Sequence, residues 1–253
     1  MKENIVFIHG LTGTRRAFKK QMDYFGHGYN TYAYDLPGHG KDRGQEADFT
    51  LEHLTRQLEE LYERERIEKA HICSISYGCY PSTIFYKKWK EKVSSLCYIG
   101  GHYNSDSPLS RVLQHFWTND YGNYTEWLRN YSRDLFPKSN VIDPYAIISS
   151  KLYYKYGHEL HEKVLKDAIG HRLHYDLRSD LMKVGIPVLW IMGDHDQLFK
   201  SSITDLKEVI PHAEYKEISH TGHAANMFRP IAFRRMYEEF LKNMASEGIG
   251  RGL

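Results

Sequence analysis

Ala70-His71-Ile72-Cys73-Ser74-Ile75-Ser76-Tyr77-Gly78 joins two kinds of local order. Ala70 to Ile75 reads as a short buried strand, and Tyr77 to Trp89 as the helix that follows it. Ser76 falls at the junction, where a strand-to-helix turn can hold a nucleophile exposed at a sheet edge. Such a tight turn needs small residues two before and two after the serine; here they are Ser74 and Gly78. A plain strand–turn–helix connection accounts equally well for these residues taken alone.

On either side the same alternation continues. Ile5-Val6-Phe7-Ile8 is a short apolar run ending in His9-Gly10, as a buried parallel strand does. A helix is expected from Thr14 to Phe25, and an edge strand from Tyr29 to Tyr34. Asp35-Leu36-Pro37-Gly38-His39-Gly40 is turn chemistry. Leu51, Leu54, Leu58, Leu61 and Tyr62 recur at helical spacing between charged residues, which predicts an amphipathic helix from about Thr50. Further strands are expected at Ser94 to Ile99, Pro187 to Met192 and Glu214 to Ile218, with helices at Ser201 to Ile210 and after Pro230. Strands alternating with helices imply βαβ units and a mostly parallel sheet.

That rhythm stops between about Tyr103 and Asp180, a stretch rich in Tyr, His and Trp that reads as several short helices. Because both its ends rejoin the strand–helix pattern, it is expected to be a helical cap inserted at 103–180 into a core formed by 1–102 and 181–253.

A serine hydroxyl is a poor nucleophile near neutral pH and needs a base, which in turn needs an orienting acid. Strand 187–192 runs into Gly193-Asp194-His195-Asp196, and strand 214–218 into Ser219-His220-Thr221-Gly222-His223. Both loops leave the carboxyl ends of strands, the edge at which open parallel sheets bind ligands. Three loops at one edge therefore bring Ser, Asp and His together, in that chain order.

Across nearly the whole chain the sequence resembles the α/β-hydrolase superfamily. His9-Gly10-Leu11 resembles its first-strand motif, Asp35-Leu36-Pro37-Gly38-His39-Gly40 its D-x-P-G-x-G turn, and Gly222-His223 its base motif. The resemblance implies Ser76 as nucleophile, His223 as base and Asp196 as acid, in the spacing Gly193-x-x-Asp196. It leaves Asp194 as a loop or capping residue and His220 outside the triad. By position it makes the backbone N–H groups of Leu11 and Tyr77 the oxyanion hole. The family's usual N-terminal hairpin has no counterpart before Ile5, so a reduced sheet of about six parallel strands is expected. The implied activity is carboxylesterase-like hydrolysis of an ester or thioester with an apolar acyl group, without a cofactor. The same three residues also support lyase chemistry, carbon–carbon hydrolysis and acyl transfer, and the scaffold also serves non-catalytic ligand receptors.

The totals exclude other classes. Across 253 residues, 34 basic and 32 acidic side chains nearly cancel, which gives no electrostatic case for nucleic acid. No apolar run approaches the ~18 residues of a membrane span. Met1-Lys2-Glu3-Asn4 leads at once into a strand, with no room for a signal peptide, and the three cysteines suit reduced thiols in the cytoplasm. His9 and His39 read as turn-holding residues. The H-x-x-H pairs His171/His174 and His220/His223 lack a clear third ligand, so no metal is expected. Gly10, Gly13, Gly38 and Gly40 match no phosphate-loop motif and are explained by tight turns.

Overall fold

The structure, a computed structural model, describes residues 2–103, 106–119, 122–137 and 144–250, with side chains through residue 244. Met1 and residues 251–253 of the expected core, and 104–105, 120–121 and 138–143 of the expected insertion, lie outside the described residues. The strands are β1 (Asn4–Ile8), β2 (Asn30–Tyr34), β3 (Ala70–Ile75), β4 (Val93–Ile99), β5 (Val188–Gly193) and β6 (Glu214–Ile218). Helix α1 (Lys19–Phe25) connects β1 to β2, α2 (Leu51–Arg64) connects β2 to β3, and α3 (Cys79–Lys88) connects β3 to β4. Five helices follow β4: α4 (Pro108–Thr118), α5 (Tyr124–Leu135), α6 (Pro144–Gly157), α7 (Glu162–His174) and α8 (Leu177–Leu181). The short helices α9 (Gln197–Lys200) and α10 (Leu206–Val209) follow β5, and α11 (Ala225–Phe228) and α12 (Pro230–Gly250) follow β6.

All six strands are parallel, in the order β2-β1-β3-β4-β5-β6, with β2 at the edge as expected. Successive side chains of a strand point to opposite faces, and the core divides accordingly. Ile5, Phe7, Cys73, Ile75, Cys97, Ile99, Leu189 and Ile191 meet α1 and α12 through Phe25, Phe233, Tyr237 and Phe240. Val6, Ile8, Ile72, Leu96, Tyr98, Val188 and Trp190 form the other face, under α2, α3 and the five helices between β4 and β5. Burial on both faces is why β1 and β5 read as apolar runs, and why β3 and β4 depart from one only at His71 and at small serines.

Local signals place the helices. Thr50 Oγ1 caps α2 by accepting the His53 N–H at 3.2 Å, and the buried stripe Leu54, Leu58, Leu61 packs on the sheet. Asn123 caps α5 in the same way, 2.8 Å from the Glu126 N–H. Aromatic residues of α4 and α5 extend this face of the core: Trp127 packs on Tyr131 with ring centroids 5.0 Å apart, and Phe116 on Tyr131 at 5.1 Å.

One expected element differs. Of the helix expected at 201–210 only Leu206–Val209 forms, as α10; the preceding helical turn, α9, ends at Lys200. Ser201 Oγ and Ser202 Oγ donate back to the carbonyls of Leu198 and Phe199, at 2.6 and 2.7 Å, and the Ser202 N–H closes a tighter turn onto the Phe199 carbonyl at 3.0 Å.

The strand order reverses between β1 and β3: β2 lies on one side of β1, and β3 and all later strands on the other. Open parallel sheets bind ligands outside the strand ends at such a reversal. Ser76 leaves β3 and Gly10-Leu11 leaves β1 at that point.

Candidate active site

Ser76 has φ 52°, in the left-handed region that a non-glycine residue adopts only under strain. The elbow is tight because β1 crowds it. A Cβ on Gly78 would come within 2.8 Å of the Ile8 carbonyl oxygen, and one on Gly10 within 3.0 Å of Ser76 Cβ. Ser74, the small residue two before Ser76, leaves no orphaned hydroxyl. Ser82 Oγ donates to the Gly78 carbonyl at 2.8 Å, so Ser74 Oγ donates to Ser82 Oγ at 3.2 Å.

His223 Nδ1 lies 2.7 Å from Asp196 Oδ2, and both residues are buried. An ionised carboxylate only accepts hydrogen bonds, so Nδ1 carries the proton and Nε2 keeps its lone pair. A Cβ on Gly100, which follows β4, would lie 2.9 Å from the His223 ring. Ile75 and Ile99 are register partners, so Gly100, against which the His223 ring packs, leaves the strand next to the one that Ser76 follows. The structure thus brings Ser76, Asp196 and His223 to one end of the sheet. Among the described residues, no hydrogen bond joins Ser76 Oγ to His223 Nε2.

Asp194, the other carboxylate of this loop, accepts the backbone N–H groups of His220 and Thr221 at 2.9 and 3.1 Å. Burial opposes its charge, but these two bonds hold its pKa below the ordinary carboxylate value. The Asp194 and His195 N–H groups donate to the Ile218 and Thr221 carbonyls, both at 3.1 Å, stitching the two loops together. Gly193 sits at the seam: a Cβ there would collide with the carbonyl oxygens of Thr221 and Gly222. Gly193→Ala is therefore expected to destabilise the fold by about 3 kcal/mol and to lower kcat with it, as Asp196 moves off His223. Urea unfolding beside ester turnover checks this; a variant with wild-type stability and activity would show that the seam has slack.

The remaining histidines divide by environment. His9 Nε2 accepts the Leu36 N–H at 2.9 Å and Nδ1 donates to the Gly10 carbonyl at 2.7 Å, tying the β1 loop to the Asp35–Gly40 turn. Burial lowers its pKa to about 4, so it is neutral. His39 Nδ1 donates to the Pro37 carbonyl at 2.9 Å, and burial lowers its pKa to about 3. His171 Nδ1 meets the Tyr77 hydroxyl at 2.6 Å, while His174 packs on Trp117. Asp194, His195 and His220 gather possible ligand atoms within 4.8 Å, but both histidines are exposed and backbone N–H groups already occupy the Asp194 oxygens.

Tyr77 follows Ser76, its side chain fully buried between Phe49 and Tyr80 at 5.4 and 5.3 Å. Leu11 follows Gly10 against the elbow, and its N–H makes no hydrogen bond among the described residues. Two aromatics that sequence reasoning did not single out flank the imidazole. The Phe199 centroid is 3.7 Å from that of His223, and Phe136, just beyond α5, is at 5.7 Å. A cleft of about 120 Å³ opens beside them, between Phe136, Tyr145, Ser149 and Leu198, and reaches Asp196 and His223; Ser76 is not in its wall.

The model of the Alpha/beta hydrolase family matches residues 5–235. Monoacylglycerol lipase ABHD6 of Homo sapiens is 19% identical over 257 residues, covering 96% of this chain and 76% of that protein. Lipase 3 of Moraxella sp. is 25% identical over 233 residues, covering 87% and 71%. The crystal structure of the enol-lactonase from Burkholderia xenovorans LB400 superposes with a TM-score of 0.74 at 19% identity, covering 96% of this chain and 92% of that one. With the parallel sheet and the family match over most of its length, the chain belongs to the alpha/beta hydrolase family and is a hydrolase of that fold.

Proposed function

We propose that the chain is a serine hydrolase of carboxylic esters, with Ser76 as nucleophile, His223 as general base and Asp196 as the orienting acid. The observation that carries this reading is the 2.7 Å contact between Asp196 Oδ2 and His223 Nδ1, with the ring packed at the end of β4, the strand beside the one that leads into the strained elbow of Ser76. Ser76 Oγ attacks the ester carbonyl as its proton passes to His223 Nε2, and Asp196 stabilises the imidazolium. The Leu11 and Tyr77 N–H groups receive the developing oxyanion. His223 then protonates the departing alcohol and activates the water that releases the acid. The similar proteins named as lipases and as an enol-lactonase favour an ester over an amide. No helix among the described residues is long and apolar enough to cross a membrane. The thiols of Cys73, Cys79 and Cys97 are free and buried, in keeping with a reducing compartment such as the cytoplasm.

In this reading the helices from α4 to α8 act as a cap, and Phe136 forms part of the wall against which an acyl or alcohol group packs. A panel of p-nitrophenyl esters of increasing chain length, with a thioester and an amide beside them, tests both points. Turnover of esters well above the amide is expected. Phe136→Ala is expected to shift kcat/KM between short and long esters by ~1–3 kcal/mol for each methylene accommodated. Turnover of the amide alone would replace the ester assignment. An unchanged ratio between esters would make Phe136 packing and nothing more.

A further inference from the structure

Arg172 lies on α7 with 3% of its surface exposed, and among the described residues no carboxylate pairs with it. Its one hydrogen bond is from Nη1 to the Tyr131 hydroxyl at 3.3 Å, and Nε has no partner. The guanidinium carbon stands 5.5 Å over the ring of Tyr77, the residue that follows Ser76. Tyr153 packs on Tyr131 at 5.8 Å. His102, buried in the loop after β4, is near enough to Arg172 that its charge adds to burial in holding the His102 pKa well below the ordinary value. A cation without a counterion is therefore held between the inserted helices and the serine elbow.

Burying an ion without its partner is strongly unfavourable. A lysine there could shed its proton; a guanidinium cannot. Neutral hydroxyls and aromatic faces offset only part of the cost. What the site lacks is an anion, and a planar guanidinium matches a carboxylate with two parallel hydrogen bonds. One positive charge among neutral donors balances a monoanion and leaves a dianionic phosphate half unpaired.

We infer that Arg172 binds a carboxylate carried by the substrate, so that the natural substrates are esters bearing a second, ionised carboxyl group. This deepens the ester-hydrolase reading and rests on it. It also replaces the wholly apolar acyl group expected from sequence with one that ends in a charge. The rival account makes Arg172 a structural strut that joins α7 to Tyr77 and Tyr131.

The test compares p-nitrophenyl monoesters of adipic, pimelic and suberic acids with the neutral p-nitrophenyl esters of matching chain length. The wild type is expected to favour at least one acidic ester by about a hundredfold in kcat/KM, the scale of a hydrogen bond to a buried charge. In Arg172→Met that ratio falls to about unity, and Arg172→Lys restores part of it. Free adipate, pimelate or suberate is expected to raise the Tm of the wild type and of Ser76→Ala, but not that of Arg172→Met. Without ligand, Arg172→Met is expected to melt about 3 °C higher than the wild type, because it removes an unpaired buried charge. A strut would show the opposite: a lower Tm for Arg172→Met with the ester ratio unchanged, and that result overturns the inference. Equal turnover of acidic and neutral esters by the wild type overturns it too. Failure to cleave any ester would instead count against the hydrolase reading, and the dicarboxylate melts would still judge Arg172.

Discussion

Ser76→Ala is expected to lower kcat on any ester the wild type cleaves by about six orders of magnitude, the loss seen when one member removes the function of a whole triad. The size follows from the division of labour. Without the hydroxyl no acyl-enzyme forms, and His223 with Asp196 has no proton to take; what remains is the binding of the substrate and the pull of the oxyanion donors. The structure makes this variant a clean one. Ser76 Oγ has no hydrogen-bond partner among the described residues, so alanine orphans no buried group. The strained φ of 52° belongs to the elbow and is the same problem for alanine as for serine. Stability is therefore expected to stay within about 0.5 kcal/mol of the wild type, which separates lost chemistry from lost fold. A fluorophosphonate probe is expected to label the wild type at Ser76 and to leave the variant unlabelled. Full activity in Ser76→Ala, or label on another serine, would move the nucleophile elsewhere.

How far the fold was legible follows from what each element answers to. Ala70 to Ile75 is a strand at the expected bounds because it is buried along its whole length and is apolar or small except at His71, whose Nδ1 meets Ser95 Oγ on the neighbouring strand at 2.9 Å. The stretch at 201–210 misled because its apolar spacing says nothing about Ser201 and Ser202 turning their hydroxyls back on the preceding carbonyls. The pairing of Asp196 with His223 was legible in two local spacings, since each residue lies a fixed number of positions beyond a strand end. The stacking of Phe199 and Phe136 on His223 was not, because it depends on how α9 and the end of α5 settle against a loop remote in sequence. Arg172 did leave a signal. Leu165, Ala168 and Ile169 lead to it at helical spacing, so a charged residue continues the buried stripe of α7.

The assignment of the acid turns on two aspartates in one loop, and their surroundings predict opposite outcomes on substitution. Asp196 Oδ2 faces His223 Nδ1 at 2.7 Å, so its charge fixes the tautomer that leaves Nε2 free and stabilises the imidazolium as it forms. Asn in its place is nearly isosteric but can present its N–H₂ to the ring. That arrangement favours the wrong tautomer, with the proton on Nε2 and no base facing the serine. Asp196→Asn is therefore expected to lower kcat by ~10⁴ with a much smaller change in KM. Asp194 faces no ring nitrogen of His223; its two oxygens accept the N–H groups of His220 and Thr221. Asparagine keeps one acceptor and must turn its N–H₂ toward the other donor, so the cost falls on the loop that carries His223. Asp194→Asn is expected to lose about 1–3 kcal/mol of stability and no more than about tenfold in kcat. Measuring both variants by urea unfolding and on a single ester separates the roles. An inactive Asp194→Asn beside an active Asp196→Asn would make Asp194 the acid, and the 2.7 Å contact at Asp196 would then serve only to hold the ring.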